Sequence, residues 1–277
     1  MALVIQTNVA SLEAQKNLNN VSKGLQTSFN RLSSGFRINT AADDAAGLAI
    51  SDSFRAQIRS FSVAERNAND GVSMAQTAEG SLGQVTGLLT RMRELAVQSA
   101  NGSQSSADRG YLDTEFGQLK SEIDRIQKST KYDGNSLIQS GTASTIFQVG
   151  INNSANDQIT VTFGGLTLTT LLAATTAVSG ATSASALNAI DRIDAALTTV
   201  STTRARFGAV MNRFDVTTAN IQTARLNISA ANSRIRDVDV AEESASLSRS
   251  QVLSQAAASV LAQANQSPQL ALGLLRG

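Results

Sequence analysis

The sequence predicts a mainly α fold: a long-helix coiled-coil rod with a small β-hairpin. Three observations predict it. Ile193, Val200, Phe207, Phe214, Ile221, Ile228 and Ile235 stand at a strict spacing of seven, which keeps one helix face turned toward a partner helix. Pro268 is the single proline in 277 residues, so helices can run far without a break. Aromatics make up 4% and tryptophan is absent, which leaves the core to Leu, Ile, Val and Ala.

The elements follow in order. Leu18, Val21, Leu25, Phe29 and Leu32 share one face of a first helix at spacings of three and four. Ser33-Ser34-Gly35 interrupts it. Thr40, three residues before Asp43, reads as the N-cap of a second helix. That helix runs from about residue 44 to about Ala100, with a stripe through Ile50, Phe54, Ile58, Phe61, Val72, Ala75, Leu82, Val85, Leu89, Met92 and Ala96. It would be about 84 Å long. Asp70-Gly71 and Gly80 are expected to loosen it locally, and Asn101-Gly102 to end it with Gly102 as the C-cap. A shorter helix spans about Ala107 to Ser129, carrying Leu112, Phe116, Leu119, Ile123 and Ile126.

The middle of the chain differs in kind. Between Gly134 and Ile190 the only charged residue is Asp157. Thr145–Val149 and Ile159–Phe163 read as two short strands, with a turn over 152–157 between them. Ser/Thr/Ala/Gly-rich sequence then reads as loop to about Ser185, so a hairpin-and-loop insert occupies about 140–185. The following helix carries the heptad row. A second row, Ile190, Leu197 and Met211, stands three residues earlier and is interrupted by Arg204, Thr218 and Arg225. A partner of comparable length is required, and the 44–100 helix has it, in either direction. After the Asp237-Val238-Asp239 junction, a terminal helix carries Leu247, Val252, Leu253, Val260 and Leu261. The expected division is two terminal segments, 1–39 and 240–277, flanking a rod domain, 40–239.

Composition excludes many functions. There is no Cys and no His, which removes thiol catalysis, His-based acid–base chemistry and nearly all zinc and haem ligation. Net charge is +1 from 23 basic and 22 acidic residues, so nothing points to nucleic acid. No run is apolar enough for membrane insertion, and no basic n-region marks a leader. None of the five lysines sits in a Ser-x-x-Lys context. Neither an enzyme nor a cofactor is expected. The terminal segments carry too few large apolar residues to offset the entropy of ordering them alone. They are expected to order in an assembly.

Several blocks carry a resemblance. Asn8-Val-Ala-Ser-Leu12, Arg31 to Asn39, Asp43 to Ser51, Arg66 to Gly71, Arg93 to Gly102, Ser233 to Asp239 and Ser259 to Gln266 resemble bacterial flagellin, in order. The likeness covers about 1–140 and 185–277. Only about 45–55 residues separate the halves, so this resembles a short form without variable outer domains. The resemblance implies an extracellular subunit of the flagellar filament, which self-assembles into a helical tube for motility. Its chain ends, 1–39 with 240–277, would pair as an α-helical coiled-coil hairpin, a terminal domain that lines the filament core. It implies export, unfolded and without a cleaved signal peptide, by the type III apparatus. Besides the chain itself, it implies as partners the export chaperone, the filament cap and the hook-junction proteins. It also implies contact with the host Toll-like flagellin receptor through Arg91, Leu95 and Glu115, with Gln98 one turn on, on a face that assembly also uses. The chaperone would mask the apolar face of the C-terminal segment: Leu247, Val252, Leu253, Val260 and Leu261.

Other readings stay in view. A hook–filament junction protein has related terminal helices, and a secreted helical adhesin or effector would fold on a host target. Asp43-Asp44 reads as helix-dipole pairing rather than a metal site, since no third acidic residue stands nearby. Sequons begin at Asn20, Asn101, Asn152, Asn227 and Asn265. Serine and threonine over 141–184 are the better candidates for O-linked sugar.

Overall fold

The computed structural model describes residues 7–139, 141–166, 168, 177–179 and 183–276; at 142 and 267–276 it describes the backbone alone. Among the described residues, five long helices carry the fold: α1 (Val9–Ser34), α2 (Ala45–Ala100), α3 (Ser106–Ser129), α4 (Ala184–Arg236) and α5 (Val240–Arg276). Four strands among the described residues form two antiparallel pairs, β1 (Lys131–Tyr132) with β2 (Asn135–Ser136), and β3 (Thr142–Gln148) with β4 (Gln158–Gly164). The chain divides into two compact units: residues 1–58 with 226–277, and residues 59–225. This boundary falls inside α2 and α4 rather than at the expected positions 39 and 240.

In the 59–225 unit, α2 and α4 are antiparallel. Arg93 pairs with Asp194 at 2.7 Å, Glu79 with Arg204 at 2.6 Å and Glu65 with Arg225 at 2.7 Å, so positions fall along α2 as they rise along α4. Arg204 and Arg225 are thus not defects in an apolar row; each reaches across to a carboxylate of α2. The row buried beside Ile193, Val200, Phe207 and Phe214 is Ala189, Ala196, Thr203 and Val210. The expected companions Ile190, Leu197 and Met211 pack only partly buried against the same core. Small side chains on the inner row let the helices approach while the larger ones flank them.

The β3–β4 hairpin covers this bundle by alternation. Ile159, Val161 and Phe163 are buried, as the two-residue period of a strand requires. Two aromatic pairs dock it. Phe147 meets Phe214 edge to face at 5.3 Å, and Phe163 stacks on Phe207 at 5.5 Å. Phe214 in turn lies over Gly71, where a Cβ would stand 2.5 Å from the ring. Gly71 therefore does not loosen α2, which is unbroken from Ala45 to Ala100; it is the notch that admits the ring. The small β1–β2 hairpin was not expected. Its signal is Asp133-Gly134, with φ of 45° and 79°, the left-handed pair that a two-residue hairpin turn demands.

Helix ends differ from expectation in two places. Asp44, not Thr40, caps α2: its Oδ1 accepts from the Gly47 N–H at 2.9 Å. Thr40 and Asp43 close the turn before it, with Asp43 Oδ2 accepting from the Asn39 and Thr40 amides. Gly102 does not provide a left-handed C-cap, being absent from the positive-φ residues. Instead, the buried Arg109 of α3 donates to the carbonyls of Ser99 and Asn101 at 3.0 and 3.3 Å. A cation thereby meets the negative end of the helix. Ser105 and Asp108 form a capping box at the start of α3.

Of the expected loop to about Ser185, residues 167, 169–176 and 180–182 lie outside the described ones. Residues 177–179 are held down. Asp113 accepts from the amides of Val178 and Ser179, Ser99 donates to the Val178 carbonyl, and Val178 is fully buried.

Candidate assembly and recognition surfaces

The terminal unit is built on one seam. On α1, Ser11, Ala14, Leu18, Val21, Leu25, Ser28 and Leu32 are buried or half-buried at alternating spacings of three and four. On α5 the same holds for Glu243, Leu247, Ser250, Ser254, Ala257, Leu261 and Ala264. That alternation is the 3.5-residue period of a two-stranded coiled coil. The helices are antiparallel. Asn8 Nδ2 donates to the Ala264 carbonyl at 2.8 Å, Ser11 Oγ to Asn265 Oδ1 at 2.7 Å, and at the other end Arg31 pairs with Glu243 at 3.5 Å.

Half of this seam is Ser or Ala. The apolar residues expected on one face of α5 therefore divide between two environments. Leu247 and Leu261 enter the seam, while Val252, Leu253 and Val260 stand 66%, 48% and 55% exposed. On α1, Val9, Leu12 and Phe29 are likewise exposed. A helix normally buries its large side chains and leaves small polar ones in water. Here the fully buried positions of α1 are Ser11, Ala14 and Ser28, while several large side chains of both helices are exposed.

The joints beside the seam are tied by backbone. Arg37 N–H donates to the Arg236 carbonyl at 2.6 Å and Val238 N–H to that of Gly35 at 3.1 Å. Gly35, at φ 73°, turns the chain out of α1. The Arg236 guanidinium lies 4.4 Å from the Phe36 ring centroid and 3.7 Å from Asp52. Asp239, part of the expected junction, accepts from the Ala241 and Glu242 amides and so starts α5.

The heptad row does not stay core along its length. Ile193, Val200, Phe207, Phe214 and Ile221 are buried; Ile228 and Ile235 are only half-buried. The reason is positional: both lie beyond Arg225, outside the 59–225 unit and its hairpin.

The expected recognition residues also separate. Arg91 Nε donates to Glu115 Oε1 at 2.9 Å and Nη1 to Glu94 Oε2 at 3.0 Å. These bonds, Glu115 foremost, raise the Arg91 pKa further above its ordinary value. Gln98 is exposed beside them. Leu95 is 1% exposed and belongs to the core. This corrects its expected place on a contact face, since α2 turns it inward with Met92 and Ala96. Among the described residues there is no cluster of His, Cys, Asp or Glu suited to a metal. No helix among them is long and apolar enough to cross a membrane.

These features define a class: long-helix proteins with a capped, hairpin-covered core and thinly packed terminal helices. Comparison with known proteins gives the family. The model of the bacterial flagellin N-terminal helical region matches residues 5–143, and that of the C-terminal helical region matches 190–275. A flagellin of Halalkalibacterium halodurans is 43% identical over 275 residues, which cover 99% of this chain and all of that one. The flagellar filament 33 kDa core protein of Treponema phagedenis is 39% identical over 293 residues, again covering 99% and 100%. A flagellar hook-associated protein structure from Vibrio parahaemolyticus aligns over 70% of this chain and all of its own, with a TM-score of 0.61. At 14% identity it shows the fold alone. The chain belongs to the bacterial flagellin family. It is a structural subunit of the extracellular flagellar filament, serves motility and is not an enzyme.

Proposed function

We propose that α1 and α5 are the polymerisation elements of this subunit, forming the terminal domain that lines the filament core. They complete their burial only against neighbouring copies. The observation that carries this reading is the inverted burial of the terminal seam, with Ser11, Ala14 and Ser28 inside and Val252, Leu253 and Val260 outside. Burying a Val or Leu gains about 1.5–3 kcal/mol, and repetition over a lattice turns that into a stable tube. Before assembly the same α5 side chains suit an export chaperone that takes a helix into a groove. Passage unfolded through the flagellar export apparatus, and contact with cap and hook-junction proteins at the growing end, complete the proposed cycle. For the host Toll-like receptor, the accessible contact is the Arg91–Glu115 pair with Gln98; Leu95 would have to act from beneath it. Seeded polymerisation tests the assembly reading. Val252→Asp with Val260→Asp should stop growth of tubes, seen by electron microscopy, while the melting of the monomer stays unchanged. Tubes formed at the ordinary rate would overturn it.

A further inference from the structure

We infer that Asn101 is a site of spontaneous deamidation, a chemical clock set into the turn between α2 and α3. Asn101-Gly102 is the only Asn-Gly pair in the sequence. Residues 101–103 are exposed and lie just past the last residue of α2, Ala100. Glycine has no Cβ to restrict its backbone or shield its nitrogen, and the Gly102 N–H has no hydrogen-bond acceptor among the described residues. The electrophile is also prepared. Asn101 Oδ1 accepts from the Ser103 N–H at 3.2 Å, which stabilises the charge that develops on this oxygen when Cγ is attacked.

The steps balance without any oxidant or cofactor. Solvent base takes the Gly102 amide proton, and the nitrogen attacks Asn101 Cγ. The new C–N bond closes a five-membered imide, and the side-chain nitrogen leaves as ammonia after taking a proton from water. Water then opens the imide at either carbonyl, giving aspartate or isoaspartate.

The place gives the reaction a consequence. The Asn101 carbonyl accepts from the Gln104 N–H and from Arg109 Nη2. An isoaspartyl link reroutes the main chain through Cγ and displaces that carbonyl. Either product sets a carboxylate at the negative end of α2. The competing asparagines are poorer sites. Asn19, Asn20 and Asn227 lie within helices, where the backbone nitrogen is committed to hydrogen bonds, and exposed Asn152 is followed by Asn153 with its Cβ.

The test is peptide mapping by mass spectrometry of the intact chain, aged at mildly alkaline and mildly acidic pH. The peptide containing Asn101 should gain the mass of one amide-to-acid conversion before any other asparagine peptide, and faster at the alkaline pH. It should also yield an isoaspartyl product. Gly102→Val, verified as folded by circular dichroism, should lose the conversion. If that variant misfolds, the comparison of Asn101 with Asn152 and Asn153 inside one wild-type molecule decides. Conversion at Asn152 or Asn153 first, or none at Asn101 after alkaline ageing, would overturn the inference.

Discussion

Two glycines of α2 answer oppositely to the same methyl group. Around Gly80 nothing lies within 4 Å of a Cβ, whereas at Gly71 the Cβ meets Phe214. Gly80→Ala should therefore stabilise by roughly 0.5–1 kcal/mol through helix propensity. Gly71→Ala should destabilise by about 1–3 kcal/mol, because overpacking outweighs that gain. Thermal melts of the two variants should move in opposite directions, and a shared direction would show that Phe214 does not occupy the notch. Phe214 itself joins α4, α2 and the hairpin, so Phe214→Ala should cost about 3–5 kcal/mol; an unchanged denaturant midpoint would remove it from the core. Asp43 and Asp108, like Glu122 and Asp194, are carboxylates whose folded-state bonds weaken in acid. The backbone amide of Thr40, then that of Asn39, holds Asp43 below its ordinary 3.8; the Ser105 hydroxyl, then its amide, does so for Asp108. The native state therefore releases these protons more readily than the unfolded one. Their contribution is full above 3.8 and is lost as pH falls through the lower folded values. Acid titration of Asp108→Asn should show less loss of stability below that point than the wild type.

At the scale of elements, most of the fold was legible because a helix repeats its apolar face. The stripes of Leu18 to Leu32 and Ile193 to Ile221 needed no tertiary knowledge to find. Contacts between elements were less legible. The Arg109 cap lies ten residues beyond Ser99 and resembles any helical arginine. The buried Ala189–Val210 row was hidden because alanine carries little periodic weight beside Ile190 and Leu197. In the α1–α5 seam the Leu and Val positions were legible, while the Ser and Ala half, Ser11, Ala14, Ser28, Ser250, Ser254, Ala257 and Ala264, was not. Leu95 was misplaced because a motif gives residue identity and not burial. The Arg109 cap has its own test. Arg109→Ala leaves the Ser99 and Asn101 carbonyls without their guanidinium donors, at a cost of about 1–3 kcal/mol. Hydrogen exchange should quicken at the last turn of α2 and the first of α3. Exchange unchanged there would mean that solvent satisfies those carbonyls equally well.

For the molecule as a whole, the division of burial governs behaviour. The continuous core runs from Ala64 to Ile221, entirely within the 59–225 unit. Outside it, among the described residues, the fully buried large side chain is Ile38, while Val9, Leu12, Phe29, Leu226, Val240, Val252, Leu253 and Val260 are exposed. On the proposed reading of α1 and α5, stability and association are carried by different residues. A subunit whose ends packed fully on themselves would have little left to offer a neighbour, and one without a separate core would not survive as a monomer. Deleting residues 1–36 or 240–277 should therefore abolish seeded polymerisation and leave a soluble, helical protein with a cooperative melt. The truncated chain should keep its Phe147–Phe214 and Phe163–Phe207 contacts, seen as retained near-ultraviolet dichroism. Loss of the cooperative melt would tie the core to the ends after all, and polymers grown from the truncated chain would move the assembly surface into the 59–225 unit.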